Sequence, residues 1–573
     1  MVAPEGHPPE PGLAPEPDPS PGLGRYALLV LLAFALALLF LTKSEPVSWA
    51  DSSRLGTIQA LAEQGTLALD DTAYFWQGDK VLIEGRYYSH QPPMLALLGT
   101  VPYWLLHQLG GEITDPWVYR TLTLSLVGIP LLAGLSMLGI LMRRRGASEL
   151  HTALLLAAAA FGTLALPYAL VLNQHGAAAA LVLAALLAID LRRPLVAGLL
   201  LALATTIDLT AVFFAVALVV PIVWREDESG STRLQLTDLI PYALGALPIL
   251  GLHFGVTHAI VGDLKPLGLH TEGFVYPLSP FLFMNLTGGG EAGPDGSQLA
   301  YIFGALFGES GLFSHHPVLL WALALGALFL LRPGTAPAVR SARPLAIGVL
   351  LASLGIAGYY LTQSRNFGGS SFGMRWFTVF APALLLLPAL ALASGHRLAL
   401  GLFVPLFLWS TAAASLGAAQ PWAKFHYRYE DSPIGMVARP GEPRPGRVEY
   451  WGQEWSRITG LEETYTRKNF DDLYQRLMEQ HQRLYLRDLS GVDPDVAREW
   501  VESGLTKLQH AVDLLDRDNS TARSRPMGHF FLGKFHQRLD DRRAAKLEYE
   551  RALALDPGHV WAKQALDKLN GGH

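Results

Sequence analysis

Cysteine is absent from the 573 residues, which excludes disulfides, thiolate metal sites and a cysteine nucleophile. Charge is scarce. Asp, Glu, Lys and Arg make up 16% of the chain, against about 25% in soluble domains. The net charge of -5 is small and leaves no basic footprint for nucleic acid. Half of the residues are hydrophobic and the mean hydropathy is +0.27, the profile of an integral membrane protein. A chain without cysteine suits an oxidising exterior, and its wealth of Ala, Leu, Gly, Pro and Arg is of the kind that GC-rich bacterial genomes encode. No pair of histidines four apart stands on a helix. His315 and His316, beside Glu309, are adjacent and so point apart, and no metal-ligand set is read from the sequence. Gly288-Gly289-Gly290 lacks the Lys-Ser/Thr of a phosphate loop and reads as plain loop.

Residues 1–24 are rich in Pro, Gly and Glu, cannot bury a core, and read as a disordered cytoplasmic tail. The first apolar run, 26–42, lacks the basic start and small-residue cleavage site of a signal peptide and reads as a transmembrane helix. Ten further spans are expected at 117–142, 150–171, 176–190, 195–207, 209–224, 239–262, 317–331, 344–362, 376–396 and 398–417. Lipid leaves backbone groups no outside partner, so these are helices. The basic breaks at Arg143-Arg144-Arg145, Arg192-Arg193, Arg225/Arg233, Arg332/Arg340/Arg343 and His396-Arg397 alternate consistently if all are cytoplasmic. That requires 92–109, with its Pro, Tyr, Trp and His, to lie in the membrane interface rather than cross. The N-terminus is then inside, the C-terminus outside, and the polar segments 43–116, 173–175, the region of Asp208, 263–316 and 363–375 all face out. Residues 419–468 read as an irregular linker. The segment 469–573 reads as an extracytoplasmic helical domain with a tetratricopeptide-like unit at 526–559, carried by Leu532-Gly533, Ala545, Tyr549, Ala552 and Pro557. Such units present binding surfaces and need a neighbour or cap; 497–516 and 560–569 are candidates.

The first outer segment, 43–116, is the most informative. It holds Trp49-Ala50-Asp51-Ser52-Ser53-Arg54, a helix-like stretch to Gln64, Gly78-Asp79-Lys80, Gly85-Arg86-Tyr87-Tyr88-Ser89 and His90-Gln91-Pro92-Pro93. It resembles the first outer loop of GT-C-fold membrane glycosyltransferases, the group related to protein O-mannosyltransferases and the lipid A aminoarabinose transferase. The resemblance covers roughly residues 26–420, specific in this loop and architectural elsewhere. Where that group often has Asp-Glu, this chain has Asp51-Ser52, and Gln91 replaces the Lys of its Lys-Pro-Pro motif. The resemblance implies inverting transfer of a sugar from a polyprenyl-phosphate donor to a lipid, glycan or protein acceptor, with Asp51 as general base. A carboxylate taking the acceptor proton fits an oxocarbenium-like transition state; Asp51 also suits a helix N-cap.

The anionic leaving group needs cations or aligned N–H donors in a dry site. Arg375 is the first choice. It closes the glycine-rich stretch 366–375, which is similar to a Gly-Gly-x-Ser-x-Gly-x-Arg stretch of related transferases, at the start of an expected span where a helix N-terminus favours anions. Lys80 and Arg365 are further phosphate candidates, and His90 a substitute for the missing Lys. Tyr87, Tyr88, His90, His175 and Asp208 are candidate substrate contacts. The chemistry admits a divalent cation without requiring one. The expected fold is all-α: a polytopic bundle of about eleven spans at 25–418 in a bacterial cytoplasmic membrane, and a small helical-repeat domain able to bind a partner. Two other classes fit less well. A lipid-linked substrate transporter predicts paired repeats with broken helices, and no matching halves occur. A non-catalytic membrane scaffold predicts no dependence on Asp51.

Overall fold

The structure, a computed structural model, describes residues 22–46, 48–74, 79–226, 232–270, 274, 298–308, 310–332, 337–364, 367–369, 371–395, 400–419, 421–422 and 524–571, with single positions between 498 and 512. Arg365, Glu309, Gly288-Gly289-Gly290, residues 1–21 of the expected tail and 423–468 of the expected linker lie outside them, as does most of 497–516. Contacts divide the chain into two compact units, Met1–Arg444 and Pro445–His573.

The first unit is mostly helical. Among the described residues, three helices are long and apolar enough to cross a membrane: Pro116–Arg144, Leu236–Val261 and Arg343–Gln363. Gln298–His315 with Pro317–Leu331 makes a fourth if that pair, bent by 89°, counts as one span. The remaining apolar runs form shorter helices, below the roughly 20 residues that a straight crossing takes. Among the described residues three expected spans are interrupted, 209–224 at Leu218 between Val212–Ala217 and Val219–Val223. The run 150–171 breaks at Gly162 into Glu149–Phe161 and Ala165–Ala169. The run 376–396 is not one helix but two 3-10 turns, Arg375–Val379 and Ala383–Leu385, followed by Leu386–Ala393; Pro382 has no amide hydrogen to continue a helical ladder through this break.

Small residues let these helices approach closely, as lipid-embedded packing requires. A Cβ on Gly198 would stand 1.9 Å from the Tyr242 carbonyl oxygen, and one on Gly245 2.0 Å from that of Leu195. The helices Pro194–Ile207 and Leu239–Val261 therefore touch backbone to backbone. Three of the basic breaks meet. Arg144 Nε and Arg145 Nε lie 2.7 and 2.5 Å from the two carboxylate oxygens of buried Asp190, and Arg145 also donates to Ser341 Oγ. The other ends of Pro116–Arg144 and Gln174–Asp190 carry Tyr119 and His175.

Between the first helix, α1 (Arg25–Leu41), and Pro116 lies a small folded loop. Its helix α2 (Trp49–Gln59) continues as a π-turn to Gln64. Strands β1 (Lys80–Ile83) and β2 (Arg86–Ser89) pair antiparallel with Lys80 opposite Ser89 and Val81 opposite Tyr88. They join through Glu84 and Gly85, both at positive φ, as a two-residue hairpin turn demands. Helix α3 (Met94–Gln108) packs Gly99 on Ile58 of α2 and leaves Leu98, Val101, Trp104 and Leu105 exposed, an apolar face suited to lying in an interface.

In the second unit, Ser524–Arg538 and Arg542–Leu555 pack together, and Val560–Gly571 adds a third helix. Gly533 sits under the ring of buried Tyr549, Ala545 and Ala552 are fully buried, and His529 Nδ1 lies 2.6 Å from Glu548 Oε2. Small residues thus face large ones at the spacing the sequence shows.

Candidate active site

The Trp49–Gln59 helix is capped by Ser48, not by Asp51. Ser48 Oγ accepts from the Asp51 amide at 3.1 Å and donates to Asp51 Oδ1 at 2.9 Å. Asp51 thus sits in the first turn with its carboxylate turned inward and wholly buried. Its other oxygen, Oδ2, accepts from Tyr119 Oη at 3.0 Å and from Trp422 Nε1 at 3.1 Å. Burial pushes the carboxyl up to about 6, against the opposing pull of Arg54 and of these three hydrogen bonds. Such a group is ionised at neutral pH and near the range of a working base.

One turn on, Arg54 is equally buried. It donates to the carbonyl of Ala50 at 2.9 Å, to Gln91 Oε1 at 2.8 Å and to Gln174 Oε1. Burial lowers it to about 10, offset chiefly by Asp51 and Asp79, so it stays cationic. Gln91 is thereby explained. Its Oε1 accepts from Arg54 while Nε2 donates to Asp79 Oδ2 at 3.0 Å and meets His90 Nε2 at 3.0 Å. A Lys there would offer no acceptor to Arg54. Arg54, three residues after Asp51, places a cation against Gln91.

Asn173 caps the helix Gln174–Asp190, its Oδ1 accepting from the Gly176 amide at 2.8 Å. Gln174 grips Arg54, and His175 Nδ1 lies 2.5 Å from Asp208 Oδ2. Asp208 is held in turn by the amide and hydroxyl of Thr210 at 3.2 and 2.8 Å. His175 Nε2 is buried with no hydrogen-bond partner among the described residues.

Arg375 arrives from the glycine-rich turn. Gly368, Gly369 and Gly373 all have positive φ, which a side chain disfavours. Its guanidinium lies 5.0 Å over the Trp422 ring, its Nε is buried without a partner, and its charge acts on Arg54 and His175. The expected helix N-terminus at Arg375 is corrected: the residue opens a five-residue 3-10 turn, too short to aim a stack of amides. Trp422 was assigned to the linker and instead belongs to this cluster, tied in where Phe372 N donates to the Pro421 carbonyl at 2.9 Å.

Other expected residues stand apart. Lys80 is buried and packs on Tyr87, its Nζ 5.0 Å from the ring, with Asp70 as its opposing charge. Burial lowers it to about 7. Tyr87 and Tyr88 fall on opposite faces of the hairpin. Tyr88 joins Arg54, Gln91, Pro93 and Leu267 around a small cleft, whereas Tyr87 faces Lys80. His90 stands 3.9 Å from Asp79 and edge-on to Phe274. His315 and His316 keep their ring centroids 6.3 Å apart on Phe372, their Nδ1 atoms engaged by Gly311 and Gly162 carbonyls. Glu63, His107 and Glu112 each bring one ligand-capable atom within 4.8 Å of the others. No known protein family, curated protein or solved structure matches the chain.

Proposed function

We propose that this chain is a membrane glycosyltransferase that moves a sugar, with inversion, from a polyprenyl-phosphate donor to an acceptor on the outer face of a bacterial cytoplasmic membrane. What supports this most is the meeting of Asp51, Arg54, His175–Asp208 and Arg375 in one buried cluster, though they come from four distant segments. A dry carboxylate with Arg54 one turn away, and with Arg375 over the Trp422 ring that donates to it, offers what the chemistry needs: a proton acceptor for the incoming hydroxyl and cations for the departing phosphate. Asp51 acts as general base by exchanging one of its three donors for the acceptor hydroxyl. Arg375 and Arg54 hold the phosphate, and Tyr88 flanks the entry from the cleft.

In this reading the eleven apolar runs cross or enter the membrane, tilted or paired where they are short. The end bearing Arg144, Arg145 and Asp190 faces the cytoplasm, and the end bearing Asp51 and Arg375 faces out. The C-terminal unit is a tetratricopeptide-like module for an acceptor or partner. The test is transfer in reconstituted membranes with a panel of radiolabelled polyprenyl-phosphate sugars and native envelope extract. Turnover by the wild type should fall by about 100-fold or more in Asp51→Asn with thermal unfolding unchanged. Equal turnover in both would remove Asp51 from the mechanism. A wild type inert toward every donor would leave the protein a scaffold.

A further inference from the structure

His175 is built to do more than end a helix. Its Nδ1 is clamped at 2.5 Å by Asp208, whose other oxygen is fixed by Thr210. Its Nε2 is buried and unpartnered, on a residue 2% exposed. Leaving a buried polar atom unpaired costs stability. The charged groups acting on His175 are Asp208, Arg375 and Arg54, and Arg375 also keeps a buried, unpartnered Nε. Gln174, next in the chain to His175, holds Arg54, so the open imidazole nitrogen lies in a cationic surround suited to an anion.

The protonation state decides what that nitrogen offers. With Nδ1–H donating to Asp208, a neutral imidazole presents a lone pair at Nε2, which repels a phosphate oxygen. The imidazolium presents N–H. While the site is empty, Arg54 and Arg375 oppose a third cation. A bound dianion reverses that balance, and Asp208 is already placed to support the imidazolium. The demand is greatest after transfer. As the C1–O bond breaks, its electron pair stays on the phosphate, and a monoanionic diester becomes a monoester carrying up to one more negative charge.

We propose that His175 is a third contact for the lipid phosphate and that it takes up a proton when the phosphomonoester occupies the site. This rests on the glycosyltransferase reading. The proton is drawn from solvent and lies between Nε2 and a phosphate oxygen in the product complex.

The experiment is calorimetric titration of the full-length protein in nanodiscs with a short-chain polyprenyl phosphate at pH 8, in two buffers of different ionisation enthalpy. The expected result is uptake of about one proton per ligand, equivalent to about a tenfold loss of affinity per pH unit. Uptake should vanish in His175→Gln and persist in Asp51→Asn, which rules out Asp51 as the acceptor. In the wild type the ring nitrogens of isotope-labelled His175 should move to imidazolium NMR shifts when the lipid phosphate binds at pH 8; shifts that stay those of a neutral ring would overturn the inference, which keeps the test decisive if His175→Gln fails to fold. Inorganic phosphate at the same concentration should bind far more weakly than the lipid; equal binding would reassign the site to free phosphate. Lipid binding without proton uptake, or uptake unchanged in His175→Gln, would overturn this inference and leave the transferase reading standing. No binding of the lipid phosphate by the wild type would overturn both.

Discussion

At the scale of single residues, the site is organised by buried charge. Asp51 and Arg54 are each fully enclosed, a costly placement unless every lone pair and proton is matched. Ser48, Tyr119 and Trp422 match the carboxylate, and Gln91, Gln174 and the Ala50 carbonyl match the guanidinium. The raised Asp51 carboxyl has a definite sign in a pH profile. Below about 6 the group is protonated and cannot accept a proton, so kcat/KM for transfer should fall as pH drops through about 6. The same raised value means that Asp51 favours the folded state most at low pH, and this contribution is lost as pH rises through about 6. A rate that stays flat from pH 5 to 8 in a stopped-time transfer assay would contradict Asp51 as the base. Asp51 itself was legible from its position after the first apolar run. Arg54 and Trp422 were not, because nothing in one-dimensional order ties Arg54 to Gln174 or Trp422 to Asp51.

At the scale of elements, helix contact depends on missing side chains. The Gly198–Tyr242 and Gly245–Leu195 approaches leave no room for a methyl group. Gly245→Val should lower the midpoint of thermal unfolding in detergent by several degrees, corresponding to about 1–3 kcal/mol of overpacking. Gly251, on the same helix, faces open space, so Gly251→Ala should leave the midpoint unchanged or slightly higher. Similar midpoints in the two variants would mean that the helices do not pack this way. The positions of helical runs were readable from hydropathy, but their interruptions were less so. The break after Arg375 depends on three glycines in left-handed conformation and on Pro382, and the apolar composition of 376–396 masks it.

At the scale of the whole molecule, the two ends of the first unit differ in kind. Arginines with Asp190 mark one, and the carboxylate–arginine cluster marks the other. A chain with no cysteine makes the corresponding orientation directly measurable. In intact cells or right-side-out vesicles, a single cysteine at Glu84 should react with a membrane-impermeant maleimide, whereas one at Arg192 should react only after permeabilisation. The reverse pattern would turn the protein over and place the site in the cytoplasm, where an outward-facing acceptor could not be served.

Composition and the order of residues were enough to determine that this is a mostly helical, membrane-type chain, where its apolar runs lie and where its polar residues concentrate between them. Those properties follow from hydrophobicity and charge counted along a line. Only the tertiary structure decided which residues meet. It brought Arg54 to Gln91 and Gln174, His175 to Asp208, and Arg375 over Trp422 beside Asp51, and it sent Lys80 to Tyr87 and Asp70 instead. Hydropathy records whether a side chain prefers water, whereas a site depends on which distant backbone segments bring their few polar groups to the same buried place.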